Sequence, residues 1–265
     1  MLKTKIEWCD STWNPVTGCL HGCEYCYARK IADRFGGNFT MSRCSEHGFL
    51  ELYAKADNPY PDKFSPTFHR YRLNQPQKWV KPQNIFVCSM ADLFGEWVPD
   101  EWMSEVFNAC EKASQHRYLF LTKHPERYTE YGVPADENKW YGVSITQESE
   151  MRRFNDLPAG CNTFVSMEPV LEDLKPEKHN ILFRQTSWII LGAESGNRKN
   201  RVTPQAEWIK KIVWNAKERE VSVFMKDSLL DIVGGEDMRR EFPRQLQSPR
   251  ISEKMEKKLY ADCAR

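Results

Sequence analysis

Trp188-Ile-Ile-Leu-Gly192, Thr203-Pro-Gln-Ala-Glu-Trp-Ile-Lys-Lys-Ile-Val-Trp-Asn-Ala-Lys-Glu-Arg-Glu220 and Val221-Ser-Val-Phe-Met225 follow one another towards the end of the chain. The two outer runs are apolar without alternation, the pattern of strands buried on both faces. The segment between them reads as a helix: Thr203 can cap it, Pro204 fits its first turn, and Ala206, Ile209, Ile212, Val213 and Ala216 share a face. Strand, helix and strand in this order imply parallel pairing, and so an α/β body.

Further back, the same type of run recurs at Ile85–Met90, Tyr118–Thr122, Trp140–Ile145 and Thr163–Met167, and the six starts lie 22 to 33 residues apart. A second helix is expected over Asp100–Ala113, with Met103, Val106, Phe107 and Cys110 on one side. Residues 12–18, Thr-Trp-Asn-Pro-Val-Thr-Gly, read as a further short strand that Pro15 restricts to an edge or a strand end, which makes six or seven βα units. At 265 residues this is one domain. The rhythm fails over about residues 36–81, an insert rich in Pro, aromatic and basic residues (Phe68-His-Arg-Tyr-Arg72, Gln77-Lys-Trp-Val-Lys81). A stretch of that length is either functional or contains small elements of its own. The tail, about residues 245–265, is charged and weakly helical towards its end.

Lys and Arg number 38 against 37 Asp and Glu, so no global field advertises a polyanion or a membrane, and any such site must be local. No run approaches the ~18 apolar residues of a membrane helix, and Met1–Trp8 has no signal core. A cytoplasmic protein without a membrane partner is expected. Of nine cysteines, three lie within eight residues, and in a reducing compartment such a group reads as ligands before disulfides.

That group is Cys19-Leu-His-Gly-Cys23-Glu-Tyr-Cys26. Its C-x3-C-x2-C spacing lets a compact loop point three thiolates at one centre and leaves one position open. Electron-transfer [4Fe–4S] clusters are normally held by four cysteines, whereas three leave an iron on which chemistry can occur. Zinc is the alternative, with His21 or a distant Cys as fourth ligand, although no second Cys pair is present. Three cysteines without metal are the third reading.

The loop, including the aromatic Tyr25 before the third Cys, resembles the signature of the radical S-adenosylmethionine superfamily. More narrowly, Trp13-Asn-Pro-Val-Thr-Gly-Cys19, Cys26-Tyr-Ala28, Ser89-Met-Ala-Asp-Leu-Phe94, Leu121-Thr-Lys-His-Pro-Glu-Arg127, Gly142-Val-Ser144, Met167-Glu-Pro169 and Gly192-Ala-Glu-Ser-Gly196 resemble a phage-associated three-Cys-motif family of unknown function. The likeness spans roughly residues 5–230. It implies a partial (βα)6-type parallel barrel, with a [4Fe–4S] cluster on Cys19, Cys23 and Cys26. S-adenosylmethionine would chelate the open iron and be cleaved reductively to a 5′-deoxyadenosyl radical. A reduced flavodoxin or ferredoxin type protein would be the electron donor.

In a parallel barrel the strand C-termini carry the site. Polar residues follow the runs repeatedly: Ser89 and Asp92, Lys123, Ser144 and Thr146, Glu168, Glu194 and Ser195, Lys226 and Asp227. With Tyr25, the members Ser89, Asp92, Lys123, Ser144, Glu168 and Glu194 are the candidates for holding the cofactor; for each, a solvated strand end or a structural ion pair is the competing reading. Where many superfamily members have a Gly-Gly-Glu segment for the methionyl amine, this chain reads Ser89-Met-Ala-Asp92, so Asp92 or Glu194 would have to serve. The loop Asn197-Arg-Lys-Asn-Arg201 could hold a phosphate or be a solvated basic turn, and the Phe68–Lys81 segment could stack bases or simply pack. Cys88 reads as a small core residue, and Tyr25 and Tyr27 as packing beside the cluster. A nucleotide or nucleic acid, modified or repaired, is the expected substrate. The alternative from another class is a non-catalytic nucleic-acid-binding protein whose loop is stapled by metal.

Overall fold

The computed structural model describes residues 4–37, 48–179 and 182–248. Cys44, Cys263 and most of the charged tail lie outside the described residues. Seven strands form one parallel sheet in the order β1 (Ser11–Trp13), β5 (Asn84–Val87), β6 (Arg117–Thr122), β7 (Lys139–Ser144), β8 (Asn162–Met167), β9 (Trp188–Leu191) and β10 (Ser222–Met225). Every neighbouring pair is parallel, and the sheet curls as a half-barrel. The partial parallel barrel expected from the sequence is therefore the observed fold.

Residues along each strand alternate between the two faces of the sheet. Phe86, Leu119, Trp140, Phe164, Trp188, Ile190 and Phe224 point to the concave side and pack with Trp8, Phe242 and Leu246. Their neighbours on the same strands point outward. Val143, Val165, Met167, Ile189, Leu191 and Val223 meet Ile209, Ile212 and Ala216 of α4 (Ala206–Lys217), while Ile85, Tyr118, Phe120 and Tyr141 meet α2 (Asp100–Glu111) and Tyr128 of α3 (Glu126–Tyr131). Both faces are covered, which is why the runs are apolar throughout; each such side chain contributes about 1.5–3 kcal/mol when fully buried.

No strand pairs β10 with β1: among the described residues β5 is the only strand that pairs with β1, and β9 the only strand that pairs with β10. The gap is crossed by side chains and by a returning segment of the chain. Glu7, just before β1, accepts from Arg240 Nη1 at 2.9 Å and from the Asp227 N–H at 3.0 Å, and Arg240 also pairs with Asp227, just after β10. Residues 239–241 run along the outer edge of β10, with Met225 N–H to Arg239 O at 2.8 Å and Glu241 N–H to Val223 O at 2.9 Å.

Several boundaries differ from the sequence reading for identifiable reasons. The run Ile85–Met90 stops at Val87, because Cys88 adopts φ 56° and its carbonyl accepts from Ala91 N–H at 2.9 Å, so Cys88 heads a turn while remaining buried. Residues 12–18 split at Asn14-Pro15 into β1 and β2 (Val16–Thr17), which belong to different sheets. Helix α4 begins after Gln205, so Thr203 is not its cap. The connections after β7 and β8 hold 3₁₀ turns (Glu148–Asp156, Pro176–His179, Leu182–Gln185) where α-helices were expected.

The insert contains elements of its own. β4 (Thr67–His69) pairs antiparallel with β2 and parallel with β3 (Leu50–Leu52), forming a small sheet under the Cys loop. Its aromatic and basic residues largely pack: Phe68 is fully buried, Arg70 pairs with Glu51 and Glu105, and Arg72 donates to Asn14 O at 3.0 Å. His69 is buried with its Nε2 against Thr17 Oγ1 at 2.8 Å, and burial, with Arg72 nearby, pushes its pKa down to about 3. The unfolded chain binds a proton at this residue near pH 6.5, the native state only near 3. Stability from His69 is thus complete above about pH 6.5 and declines as pH falls, by up to about 1.4 kcal/mol per unit. Urea unfolding between pH 7 and 4.5 should show this slope in the parent and lose it in His69→Gln; identical slopes would refute the assignment.

Candidate active site

The Cys loop enters the concave mouth through Gly18, whose φ is 88° and whose N–H donates to Met90 O at 2.9 Å. A Cβ at this position would lie 2.1 Å from Ser65 O, so only glycine lets the chain pass between the small sheet and the turn after β5. Cys19 N–H then donates to Phe64 O at 3.1 Å, and Cys26 N–H to Cys23 O at 3.2 Å, which closes the loop into a tight turn. Cys26 caps helix α1 (Tyr27–Phe35), its Sγ accepting from Arg29 N–H at 3.3 Å, and Arg29 Nη2 reaches back to Cys19 O at 3.1 Å. A helix N-terminus and a guanidinium thus favour negative charge on this loop.

Cys19, Cys23 and Cys26 are all unpaired thiols and all line one cavity of about 220 Å³ at the C-terminal ends of the strands. Burial pushes the Cys19 thiol up to about 12, with the Asp92 charge and the other two cysteines adding to it. A thiolate there requires compensating positive charge, which a metal centre brings. The three sulfurs fit a cluster better than one zinc ion. Among the described residues only Glu96, His124 and Glu126 bring three ligand atoms within 4.8 Å of one another, whereas a single ion with bonds of about 2.3 Å needs its sulfurs that close. His21, the candidate fourth zinc ligand, has its Nε2 on Asp92 Oδ2 at 2.7 Å and stacks on His124 at 5.1 Å between centroids.

The seven candidates read from the sequence, Tyr25, Ser89, Asp92, Lys123, Ser144, Glu168 and Glu194, all line this cavity, together with Ser195 and Lys226. Thr146 and Asp227 do not; Thr146 turns to Glu150 at 3.0 Å, and Asp227 belongs to the edge contact with Arg240. Lining a cavity and being available to a ligand are different, and here the candidates divide.

Asp92 is occupied. Its carboxylate accepts from His21, from Lys123 N–H at 3.0 Å and from Phe94 N–H at 3.1 Å. Burial alone would raise its pKa, but His21 and the backbone donors more than offset that and hold it below the usual carboxylate range. Asp92 therefore ties the Cys loop to the ends of β5 and β6. Glu194 is occupied as well: it accepts two bonds of 2.7 Å from Arg198 and one of 3.3 Å from Val202 N–H. Arg198, chiefly, lowers its pKa, and Arg198 reaches on to Glu24 of the Cys loop at 3.1 Å. One arginine of the basic loop is thus a clasp on the Cys loop.

The remaining candidates face the cavity with fewer partners. Glu168 pairs with Lys226 across the mouth, in space that Gly192 leaves open: a Cβ there would stand 3.0 Å from Glu168 Cγ and 3.2 Å from Lys226 Cδ. Lys123 Nζ donates to Tyr25 OH at 2.6 Å and lies 5.2 Å from its ring centroid. Burial pushes the Tyr25 pKa up; burial alone would lower that of Lys123, but its tyrosine partner raises it. Ser144 offers its side chain at the end of β7, and Ser89 Oγ donates to Asn14 Oδ1 at 3.1 Å. Sequence reasoning did not single out Ser166, nor the apolar wall of Ile6, Trp8, Phe86 and Leu121. Period-two alternation beyond Phe164 places Ser166 inside, so that signal was present. Trp8 lay outside any run; it reaches the cavity by packing on Phe86 at 4.6 Å.

The fold that carries this site is shared with spore photoproduct lyase. A Cys→Ser mutant of that protein aligns with TM-score 0.51 at 12% identity, covering 84% of this chain and 78% of the other. A Cys→Ala mutant with dinucleoside spore photoproduct aligns with TM-score 0.50 at 12% identity, covering 80% and 75%. No curated protein matches the sequence. A family model matches residues 3–237, and the chain belongs to that family, described as "Protein of unknown function (DUF5131)". Among the described residues no helix is long and apolar enough to cross a membrane.

Proposed function

We propose that residues 1–265 form one radical S-adenosylmethionine enzyme domain acting on a nucleotide or nucleic acid, in modification or repair. The observation that carries this reading is the C-x3-C-x2-C loop opening three unpaired thiols onto a cavity at the strand C-termini. When bound by these thiols, a [4Fe–4S] cluster supplies one electron that breaks the S–C5′ bond of S-adenosylmethionine, giving methionine and a 5′-deoxyadenosyl radical.

The chain's own residues divide the work. Cys19, Cys23 and Cys26 hold the metal, with Arg29 N–H and the α1 terminus easing their charge. Glu168 attracts the methionyl ammonium and Lys226 the methionyl carboxylate, exchanging their mutual pair for ligand partners. Ser144, Ser166 and Ser195 offer hydroxyls to ribose, and Lys123 with Tyr25 forms the wall beside the cluster. Trp8, Phe86 and Leu121 keep water from the radical. Asp92 and Glu194 position the loop.

Three further considerations support the substrate class and setting. The fold is that of a protein whose structure holds a dinucleoside lesion. The sequence resembles a phage-associated family, and Lys199 and Arg201 of the basic loop are exposed near the mouth. A reducing, cytoplasmic setting with a reduced flavodoxin or ferredoxin type donor follows from the chemistry.

The test is anaerobic reconstitution with iron and sulfide, then dithionite and S-adenosylmethionine, with 5′-deoxyadenosine quantified alone and with lesion-bearing oligonucleotides. Production, stimulated by one oligonucleotide, is expected. Tight, salt-sensitive oligonucleotide binding by a fully loaded protein that never cleaves the cofactor would instead establish a metal-stapled binding protein.

A further inference from the structure

Helix α1 buries only one narrow face, Ala28 and Ala32, against Phe64 and Met90. One step around the helix, Tyr27, Ile31 and Phe35 recur at i, i+4 and i+8; Tyr27 borders the cavity and donates to Ser89 O at 2.7 Å, while Ile31 and Phe35 stand in solvent at 37% and 54% exposure. Leu20, between the first cysteine and His21, is 52% exposed on the Cys loop. Lys30 and Arg34 flank the stripe and pair with no carboxylate among the described residues. The helix starts at the residue after Cys26, so Ile31 lies about 7 Å along the axis from the third thiol.

We infer that this stripe, Ile31 and Phe35 rimmed by Lys30 and Arg34, is the docking surface for an acidic one-electron carrier protein that reduces the site. The inference rests on the reading under Proposed function. The carrier loses one electron on the surface nearest the thiols, the Cys loop centre gains it, and the carrier leaves oxidised. Such encounters use small interfaces, a compact apolar centre for contact and opposite charge at the rim for steering, and this is what α1 presents. A polynucleotide track would need a basic groove with a ring for each base; two cations beside Ile31 and the single ring of Phe35 do not form one.

Two variants, Ile31→Asp combined with Phe35→Asp, and Arg34→Glu alone, place charge on exposed positions outside the cavity. Calorimetry of an acidic flavodoxin, or an acidic ferredoxin, titrated into the reconstituted protein at low salt gives the affinity independently of turnover. Binding at least tenfold weaker in both variants is expected, with dithionite-driven 5′-deoxyadenosine within twofold of the parent. Unchanged carrier affinity in the variants, or no binding of either carrier by the parent, overturns the docking surface. So does a loss of oligonucleotide affinity with carrier affinity retained, which reassigns the stripe to nucleic acid. Absence of dithionite-driven cleavage in the parent refutes the enzyme reading itself, a separate result.

Discussion

Single replacement of Cys19, Cys23 or Cys26 by Ala is expected to lower bound iron after reconstitution from about four per chain to less than about one, and to reduce 5′-deoxyadenosine formation on the order of a thousandfold. The three thiols are only partly buried, and they open on a cavity rather than on the core. Their removal therefore leaves the fold in place while taking away a soft ligand that no neighbour can replace. His21 cannot substitute, being held by Asp92 at 2.7 Å. His21→Ala should keep its iron, and so should Cys88→Ala, since Cys88 is buried in the aromatic core beneath α2. Full iron content in any single variant of the loop would show that the three are not the ligand set, and iron lost from His21→Ala would bring the imidazole into it.

Asp92→Ala should destabilise the protein by about 3–5 kcal/mol, because it strips a buried carboxylate from the Phe94 and Lys123 N–H groups and from His21 at once. For a chain of this size that corresponds to a fall in Tm of roughly 6–20 °C. Asp92→Asn retains an acceptor oxygen and should cost less. The pH dependence has a definite sign. The native carboxyl titrates below its ordinary value, so its contribution is complete above the unfolded value near 3.9 and is lost as pH falls through the lower native one. The parent should therefore lose this advantage over Asp92→Ala only in strong acid. A variant within 1 kcal/mol of the parent at pH 7 would show that the three hydrogen bonds do not hold the loop.

What could be read in advance follows the range of the interactions. The apolar runs Trp140–Ile145 and Thr163–Met167 differ from the observed strands by single residues at their ends, since burial on both faces writes itself into consecutive positions. The helical periodicity of Thr203–Glu220 survives in Ile209, Ile212 and Ala216, while its capping fails because the chain turns at Gln205. Cys88 escaped notice as a turn residue because nothing local marks its left-handed backbone; only the fold requires it. Spacing alone singled out the three cysteines, and strand ends the polar residues that line the cavity with them. Which members of the ring are free depended on partners distant in sequence. Asp92 meets His21 across 71 residues, and Arg198 meets Glu24 across 174, distances over which no pattern extends.

The edges of the sheet have a bearing on what can enter. A closed barrel admits its substrate only from above, as a pore admits a thread, because a ladder of backbone hydrogen bonds forms its wall all round. Here the wall between β10 and β1 is completed by the returning chain: residues 239–241 hydrogen-bond along β10, Phe242 and Leu246 pack on Trp8, and Leu246 O and Ser248 Oγ bond to Asn84 and Asp10 beside β1, with the Glu7, Arg240 and Asp227 latch at the same seam. Opening that seam means breaking backbone hydrogen bonds and uncovering apolar side chains, so salt acting on the latch alone does not part it. Traffic to the cavity is therefore confined to the strand C-termini, where the Cys loop itself forms part of the entrance.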